Sequence, residues 1–227
     1  MASPALVPRA RPGLVEVARR ARPVVLAGER RLAVPGPVGD LLPGGGLQRG
    51  TVVAVDGPVG CGGASLVMAL LASATAVGEW AAVLDAGGSF GVLAAAEAGV
   101  ALERLAVIGA PGVRGVPGEA LSPEQFGSVV ATLLDGMTVV AATVPGRLRT
   151  GEARRLAARA RERGSVLVAA GAWPGEAALR LRVQGSSWSG LGRGEGLLGG
   201  RTLRVTLAGR GAAARSRTAD VPLRAAS

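Results

Sequence analysis

Lysine, histidine, tyrosine and asparagine are absent from this sequence of 227 residues, which contains one cysteine and five aromatic residues. Without histidine, a Ser–His or Cys–His catalytic pair is excluded. With a single cysteine, a zinc site is excluded as well. Cys61 alone cannot form an internal disulfide, which favours a reducing compartment. The N-terminal residues show no apolar signal-peptide segment, so we expect a cytoplasmic protein.

All 26 basic residues are arginine, and the formal net charge is +10. A basic balance of this size favours an anionic partner such as DNA. The excess of Ala, Gly, Arg, Val and Pro also indicates GC-rich coding, so the charge has two explanations that the sequence does not separate. The stretch Cys61–Gly78 carries no charge, but it starts with glycines and is followed by Glu79, which favours a core helix over a membrane span.

Short apolar runs alternate with helical patterns along the middle of the chain, which predicts a parallel sheet flanked by helices. The predicted strands are 51–55, 81–84, 105–108, 137–143 and 165–170, and the predicted helices are 66–77, 92–98, 122–134 and 152–163. Ser122-Pro123-Glu124-Gln125 is typical of a helix start, with a capping serine and a glutamine three residues later. A short amphipathic helix is predicted at Val15–Arg22, and 111–117 is predicted to be a loop.

The last third of the chain changes character. Leu, Val and Arg alternate at 179–183 and again at 203–207, which predicts antiparallel strands at the sheet edge. We expect three segments: an N-terminal segment with a short helix at 1–40, a core at 41–210, and a flexible Arg/Ala tail at 211–227. Within this plan, 32–50 is an irregular approach to the first core strand because proline and glycine recur there.

The functional prediction depends on the stretch that follows the first core strand. The β-branched run Thr51–Val55 leads into a glycine-rich loop and then a helix, the order typical of a phosphate-binding P-loop. The pattern G-x-x-x-x-G-K-[ST] places its glycines at Gly57 and Gly62. Its lysine position is Gly63 and its hydroxyl position is Ala64, so the two residues that hold phosphate and Mg²⁺ are missing.

These losses predict little or no ATPase activity. Loss of one preorganised charge-stabilising donor typically costs about 3 kcal/mol, and no lysine exists elsewhere to replace it. Ser65 stands one position late, which turns its hydroxyl about 100° around the helix. We therefore predict a non-enzyme without ATP, Mg²⁺ or another metal. The vestigial nucleotide site consists of Gly57, Gly60, Gly62, Gly63, Ser65 and Asp85. The alternative is that this stretch is only a turn that preserves the fold.

With these residues in view, the chain resembles the RecA-like ATPase core. The likeness lies in LLPGGGLQRG, the degenerate P-loop and AAVLDA, all within 41–86. RecA-type proteins have Asp-Ala-Glu where this chain has Asp85-Ala86-Gly87, so the catalytic glutamate is replaced. The aspartate that orders Mg²⁺ at the end of a later strand falls on about Ala142. The resemblance implies a RecA-like P-loop core at 41–210.

More narrowly, the chain resembles the ImuA-type RecA homologues of actinobacteria, through 154–183 and through SWSGLGRGEGLLGGRTLRVTLAGRG at 187–211. That resemblance implies a non-catalytic adaptor of the SOS response to DNA damage, acting in mutagenic translesion synthesis. The implied partner is an ImuB-type Y-family polymerase homologue and, indirectly, an error-prone C-family polymerase. DNA would be reached through the partner, and no membrane is involved. Two alternatives are a divergent P-loop ATPase or nucleotide-switched DNA repair protein using Ser65 and Asp85, and a SulA-like inhibitor of cell division.

The candidate partner surface lies at the C-terminal end, where arginines stand near glycines or in the expected tail. It consists of Trp188, Arg193, Arg201, Arg204, Arg210, Arg215 and Arg217. Trp173 and Trp188 each have two explanations, an interface anchor or a core residue. The arginines of the helix at 152–163 are interpreted as an ordinary solvated face, with Leu156 and Ala160 inward.

Overall fold

The computed structural model describes residues 31–109, 121–190 and 199–224. The strands are β1 Arg31–Ala33, β2 Gly46–Gln48, β3 Val52–Asp56, β4 Ala81–Asp85, β5 Leu105–Gly109, β6 Val139–Thr143, β7 Val166–Ala170, β8 Leu179–Ser189, β9 Gly200–Gly209 and β10 Arg217–Arg224. The α-helices are α1 Gly36–Leu41, α2 Gly63–Thr75, α3 Val92–Glu97, α4 Pro123–Gly136 and α5 Thr150–Arg163.

The fold is α/β, built on one sheet of eight strands in the order β10-β9-β8-β3-β7-β6-β4-β5. The six strands from β8 to β5 are parallel to their neighbours, and β9 and β10 are antiparallel. The mainly parallel sheet predicted from the sequence is therefore confirmed, as are the antiparallel strands at its C-terminal edge. One detail differs: β8 was expected to pair only in antiparallel fashion. It is antiparallel to β9 but parallel to β3.

Both faces of the sheet are covered, which explains why the central strands are almost continuously apolar. On one face α2 packs on β3 through a cluster that includes Leu66, Leu70 and Val53. On the other face α4 and α5 pack through a cluster that includes Phe126 and Leu156. β3 supplies Val53 and Val55 to the first cluster and its intervening residues to the second, as the two-residue period of a strand requires.

The predicted helix start at Ser122 is confirmed. The Ser122 side chain accepts a hydrogen bond from the Gln125 backbone N–H at 3.2 Å, and the Gln125 side chain accepts from the Ser122 backbone N–H at 2.9 Å. This reciprocal capping box satisfies two backbone donors that a helix N-terminus otherwise leaves free. Pro123 occupies the first helical position, where its missing N–H has no cost.

The expected N-terminal boundary at residue 40 is wrong. The compact unit begins at Arg31, and residues 31–48 form a two-stranded antiparallel sheet, β1 with β2, around the short helix α1. Leu32, Val38 and Leu47 are buried in the cluster that contains α2. The prolines and glycines that predicted an irregular segment instead permit tight turns between short elements, and burial of these apolar side chains stabilises them.

The expected tail at 211–227 is also corrected. Residues 217–224 form β10, which pairs with β9 from Leu207 to Gly200. Val221 is buried in the core, and the Arg217 side chain donates a hydrogen bond to the Leu41 carbonyl. The composition is tail-like, but the alternating Ala219, Val221 and Leu223 supply an apolar face that packs against the core.

Four parts of the sequence predictions fall outside the described residues: the helix at Val15–Arg22, the loop at 111–117, Arg193 and the last three residues of the chain. None of the helices in the described ranges has the length and apolar character that crossing a bilayer requires.

Candidate functional site at the glycine loop

The glycine loop, residues 57–62, connects the central strand β3 to the N-terminus of α2. The Cys61 N–H donates to the Pro58 carbonyl at 3.2 Å, which closes a tight turn. Gly62 caps α2 with φ of 106°, and its carbonyl accepts the Leu66 N–H. That backbone angle favours glycine, so the loop needs a glycine at this position whatever its function.

One side of the glycine loop packs against the hairpin formed by β8 and β9. A Cβ added at Gly57 would overlap the Val183 backbone carbonyl of β8. A Cβ at Gly62 would overlap a methyl group of Leu203 and lie 3.2 Å from the guanidinium carbon of Arg201. The two glycines that match the P-loop pattern therefore also permit close approach of the loop to this hairpin.

Arg201 makes three contacts, one to the glycine loop and two to β8 of its own hairpin. Its Nη2 donates to the Gly60 carbonyl at 2.5 Å and to the Ser186 hydroxyl at 2.9 Å. Its guanidinium carbon lies 4.9 Å from the centre of the Trp188 ring, a cation–π arrangement. Among the described residues, Arg201 has no carboxylate within ion-pair distance. The partners of the Arg201 guanidinium are therefore a carbonyl, a hydroxyl and an aromatic ring, all uncharged.

A β-bulge in β8 places Trp188 beside Arg201. The register with β9 shifts between Val183 and Gly185, so that Gln184 is the extra residue. Before the bulge, odd-numbered residues such as Val183 face the core. After it the even-numbered Trp188 lies opposite Arg201, on the face that also carries Leu203. Without the bulge, Trp188 would point to the other face of the sheet.

The two positions at which the P-loop pattern binds a magnesium nucleotide carry neither a charge nor a hydroxyl here. The lysine position is Gly63 and the hydroxyl position is Ala64, the first two residues of α2. Arg201 is the one arginine of the described residues that hydrogen-bonds to the loop, and it donates to a loop carbonyl. The described residues bring together no group of three Cys, Asp or Glu side chains that could hold a metal ion.

The Asp85 carboxylate accepts hydrogen bonds from the loop that directly follows it in the chain. It ends β4 and is buried, and its carboxylate accepts the Ser89 N–H at 3.1 Å, the Ser89 hydroxyl at 3.4 Å and the Phe90 N–H at 2.8 Å. β4 lies three strand positions from β3, which places it about 14 Å from the strand that carries the glycine loop. These hydrogen bonds order the turn that follows β4. Ala142, at the expected position of the second acid, is buried in β6.

The structure separates the predicted arginine set. Arg204 faces away from Arg201 and forms a two-bond ion pair with Asp220, which holds the pKa of Asp220 below its ordinary value. Arg210 pairs with Glu176, and Arg217 donates to the Leu41 carbonyl. The side chain of Arg215 is exposed, and Arg193 lies outside the described residues. Within the described part of this set, only Arg201 and Trp188 are joined to each other.

The other two tryptophans are not part of this site. Trp173 is buried in the cluster beneath α5, and its indole N–H donates to the Glu176 carbonyl at 3.2 Å. It is therefore a core residue, one of the two explanations the sequence left open. Trp80 precedes β4, and Arg104 lies over its ring at 5.4 Å. Trp188, by contrast, keeps 52% of its surface exposed.

Sequence reasoning missed three residues that complete the site. Val59 at the tip of the glycine loop is fully exposed, and it adjoins the Gly60 carbonyl that Arg201 binds. Ser186 and Leu203 hold Arg201 and the loop in place. An exposed valine within a glycine loop carries no pattern of its own, and Ser186 reaches this face only because of the bulge. We call Val59, Trp188 and Arg201 the loop–hairpin surface.

The model of the MT3502 N-terminal domain family matches residues 40–175, which is more than half of the chain. The chain therefore belongs to this family. The matched range contains the glycine loop and ends before β8, so the hairpin that carries Trp188 and Arg201 lies outside it. No curated protein matches the chain.

Proposed function

We propose that this member of the MT3502 N-terminal domain family is a RecA-like, ImuA-type accessory protein without ATPase activity. In this proposal it acts in the cytoplasm as an adaptor in mutagenic translesion DNA synthesis. Its direct partner is an ImuB-type Y-family polymerase homologue, through which it serves an error-prone C-family polymerase. The resemblance of residues 154–183 and 187–211 to that group supports the choice of pathway and partner.

One observation carries the non-catalytic part of the proposal: a glycine loop between a central parallel strand and a helix lacks both of its chemical residues. The loop is in the place where α/β proteins bind phosphate, at the C-terminal end of a strand and the N-terminus of a helix. Gly63 and Ala64 supply neither charge nor hydroxyl there. Asp85, which a divergent ATPase would need, is instead the acceptor for the loop at Ser89 and Phe90.

The loop–hairpin surface is our candidate for the partner contact. Trp and Arg are enriched among residues that dominate binding energy, because they combine apolar area with directed polar contacts. Here a half-exposed tryptophan is stacked on an arginine, and a fully exposed valine lies at the tip of the adjoining loop. The contacts of Arg201 fix Trp188 relative to the Gly60 carbonyl, which lowers the entropy lost on binding.

Nucleotide binding tests the first part of the proposal. A fluorescent ATP analogue titrated with Mg²⁺ should give no saturable signal with the wild-type protein, and Ser65→Ala should behave the same way. Saturable binding with turnover, abolished by Ser65→Ala, would favour the divergent ATPase instead.

Co-purification with an ImuB-type protein tests the second part. Trp188→Ala and Arg201→Ala should each weaken capture, whereas Arg204→Ala should not, because Arg204 lies on the opposite face of β9 and pairs with Asp220. The Arg204 variant removes the same charge and serves as the matched control. Equal capture of all three variants would remove the loop–hairpin surface as the binding site, and capture of the division protein FtsZ would favour the inhibitor.

A further inference from the structure

Helix α5 presents three arginines on its outer face: Arg154, Arg155 and Arg161 are exposed. The opposite face of the helix is buried against the sheet around Leu156. Arg154 and Arg161 are seven residues apart, which places them within about 20° of each other around the helix and about 10 Å apart along its axis. Arg155 lies about 100° from Arg154 around the helix. All three side chains therefore project from the exposed half of a rigid element.

These arginines are not neutralised by acids of the described residues. Each of the two glutamates of α5 has another partner: Glu152 accepts the Arg149 backbone N–H at 3.0 Å, and Glu162 accepts from Arg159 at 3.2 Å. Asp135 of α4 takes a two-bond ion pair from Arg159 and one further bond from Arg163. Asp135 thus ties α5 to α4, while Glu152 and Glu162 are engaged within α5 itself. None of these acids pairs with Arg154, Arg155 or Arg161.

Neither the helix dipole nor ion pairing along the helix accounts for all three arginines. Positive charge stabilises the last turn of a helix, where Arg161 lies, through the helix dipole. Arg154 and Arg155 lie in the first half of α5, where that effect is absent or unfavourable. They form no ion pair with any described carboxylate, so they gain nothing from side-chain pairing along the helix.

We propose that this arginine face, formed by Arg154, Arg155 and Arg161, binds the phosphate backbone of duplex DNA without reading its sequence. Three exposed positive charges on one rigid helix can neutralise backbone phosphates, and release of counterions drives such binding. α5 contains no aromatic residue, so it offers no platform on which the bases of a single strand could stack. This contact is direct and goes beyond the proposed function, in which DNA is reached through the partner.

Fluorescence anisotropy of the full chain with a labelled duplex of arbitrary sequence, between about 50 and 300 mM NaCl, tests this directly. The comparison is with Arg154→Gln/Arg155→Gln/Arg161→Gln, since glutamine retains helix propensity. We expect the affinity of the triple variant to be at least about tenfold weaker at the lower salt concentrations. The slope of log K against log salt should fall by about 2 to 3, because each phosphate that the protein no longer neutralises removes about 0.9 from it.

The matched control removes the same charge elsewhere: Arg182→Gln/Arg204→Gln/Arg210→Gln, three exposed arginines whose partners are carboxylates. It should keep the wild-type slope to within about 1. The proposal is overturned if both triple variants weaken binding equally, since net charge alone would then account for it. It is also overturned if the wild-type protein does not bind, if oligo(dT) of equal phosphate count binds more tightly than duplex, or if polyglutamate competes as well as DNA.

Discussion

Trp188 and Arg201 face each other across β8 and β9, with the guanidinium carbon 4.9 Å from the centre of the indole ring. Arg201 also holds the Gly60 carbonyl, 141 residues away in the chain. This one side chain therefore connects the C-terminal hairpin to the glycine loop. One of its contacts reaches the loop, and the other two fix the arginine within the hairpin. The loop and the hairpin are therefore brought together only in the folded protein.

Arg201→Ala should lower the free energy of unfolding by about 1–2 kcal/mol, because it removes a cation–π interaction and two hydrogen bonds. The effect is limited because the enclosed Nε of Arg201 has no acceptor among the described residues. Urea denaturation measures it. Arg204→Ala, which breaks only an exposed ion pair, should change stability by less than about 1 kcal/mol. Equal effects of the two substitutions would contradict the link between hairpin and loop.

Alanine substitutions at the neighbouring residues Gly62 and Gly63 are expected to change the stability of the protein in opposite directions. Gly62→Ala forces a side chain into φ of 106° and against Leu203, so it should destabilise the protein by about 1–3 kcal/mol. A Cβ at Gly63 meets open space in the first turn of α2, so Gly63→Ala should be neutral or stabilising by up to about 1 kcal/mol. Thermal unfolding of both variants checks the pair. Similar effects of both substitutions would mean that the loop does not pack on β9 in this way.

β10 belongs to the folded core, so removal of the last residues should matter. A chain ending at residue 215 lacks the pairing with β9, the buried Val221 and the hydrogen bond from Arg217 to Leu41. We expect a clear decrease in stability and increased exposure of β9 to hydrogen exchange, because its edge becomes unpaired. Val221→Ala should cost about 1–3 kcal/mol without removing the strand. Wild-type stability of the shortened chain would restore the view of this segment as a tail.

Asp85→Ala removes the acceptor for two backbone N–H groups and one hydroxyl in the turn after β4. The expected cost is about 1–3 kcal/mol, because three hydrogen-bond donors in this part-exposed turn lose their acceptor. Urea denaturation measures this cost, and Asp85→Asn should be milder since its amide oxygen still accepts. If Asp85→Ala left stability unchanged but altered the response to a magnesium nucleotide, Asp85 would be a site residue and not a turn former.

The pKa of Glu79 lies below its ordinary value of 4.5, first because Arg49 donates a hydrogen bond to its carboxylate and further because Thr138 does. A carboxyl with a lowered folded pKa stabilises the fold fully above its unfolded value, and this stabilisation disappears as pH falls through the folded value. Glu79→Gln should therefore reduce stability at neutral pH and flatten its decline below about pH 4.5. The exposed Glu162→Gln is the control and should shift the curve less. Urea midpoints across this range measure both.

Much of the central fold followed from local patterns. The strands at 81–85 and 105–109 and the capping box at Ser122 were predicted to within a residue or two, because hydrophobic period and capping act over a few neighbouring positions. The glycine loop and its missing lysine were equally plain in the sequence. A parallel sheet followed from the alternation of apolar runs with helices.

The structure of the two ends of the described chain and the arrangement of the site could not be predicted from the sequence, because both depend on tertiary contacts. The elements at 31–48 and the strand at 217–224 have compositions typical of loops, and they are ordered by contacts with residues far away in the sequence. Side chains of a strand alternate between its two faces, and continuing that alternation past Val183 places Trp188 on the wrong face. The extra residue at the bulge, Gln184, moves every side chain beyond it to the opposite face. Whether a strand contains such a bulge depends on how it pairs with its neighbour. The sequence by itself therefore determined that the loop lacks the lysine and the hydroxyl of a P-loop. Only the pairing of β8 with β9 decided that Arg201 and Trp188 lie beside the loop.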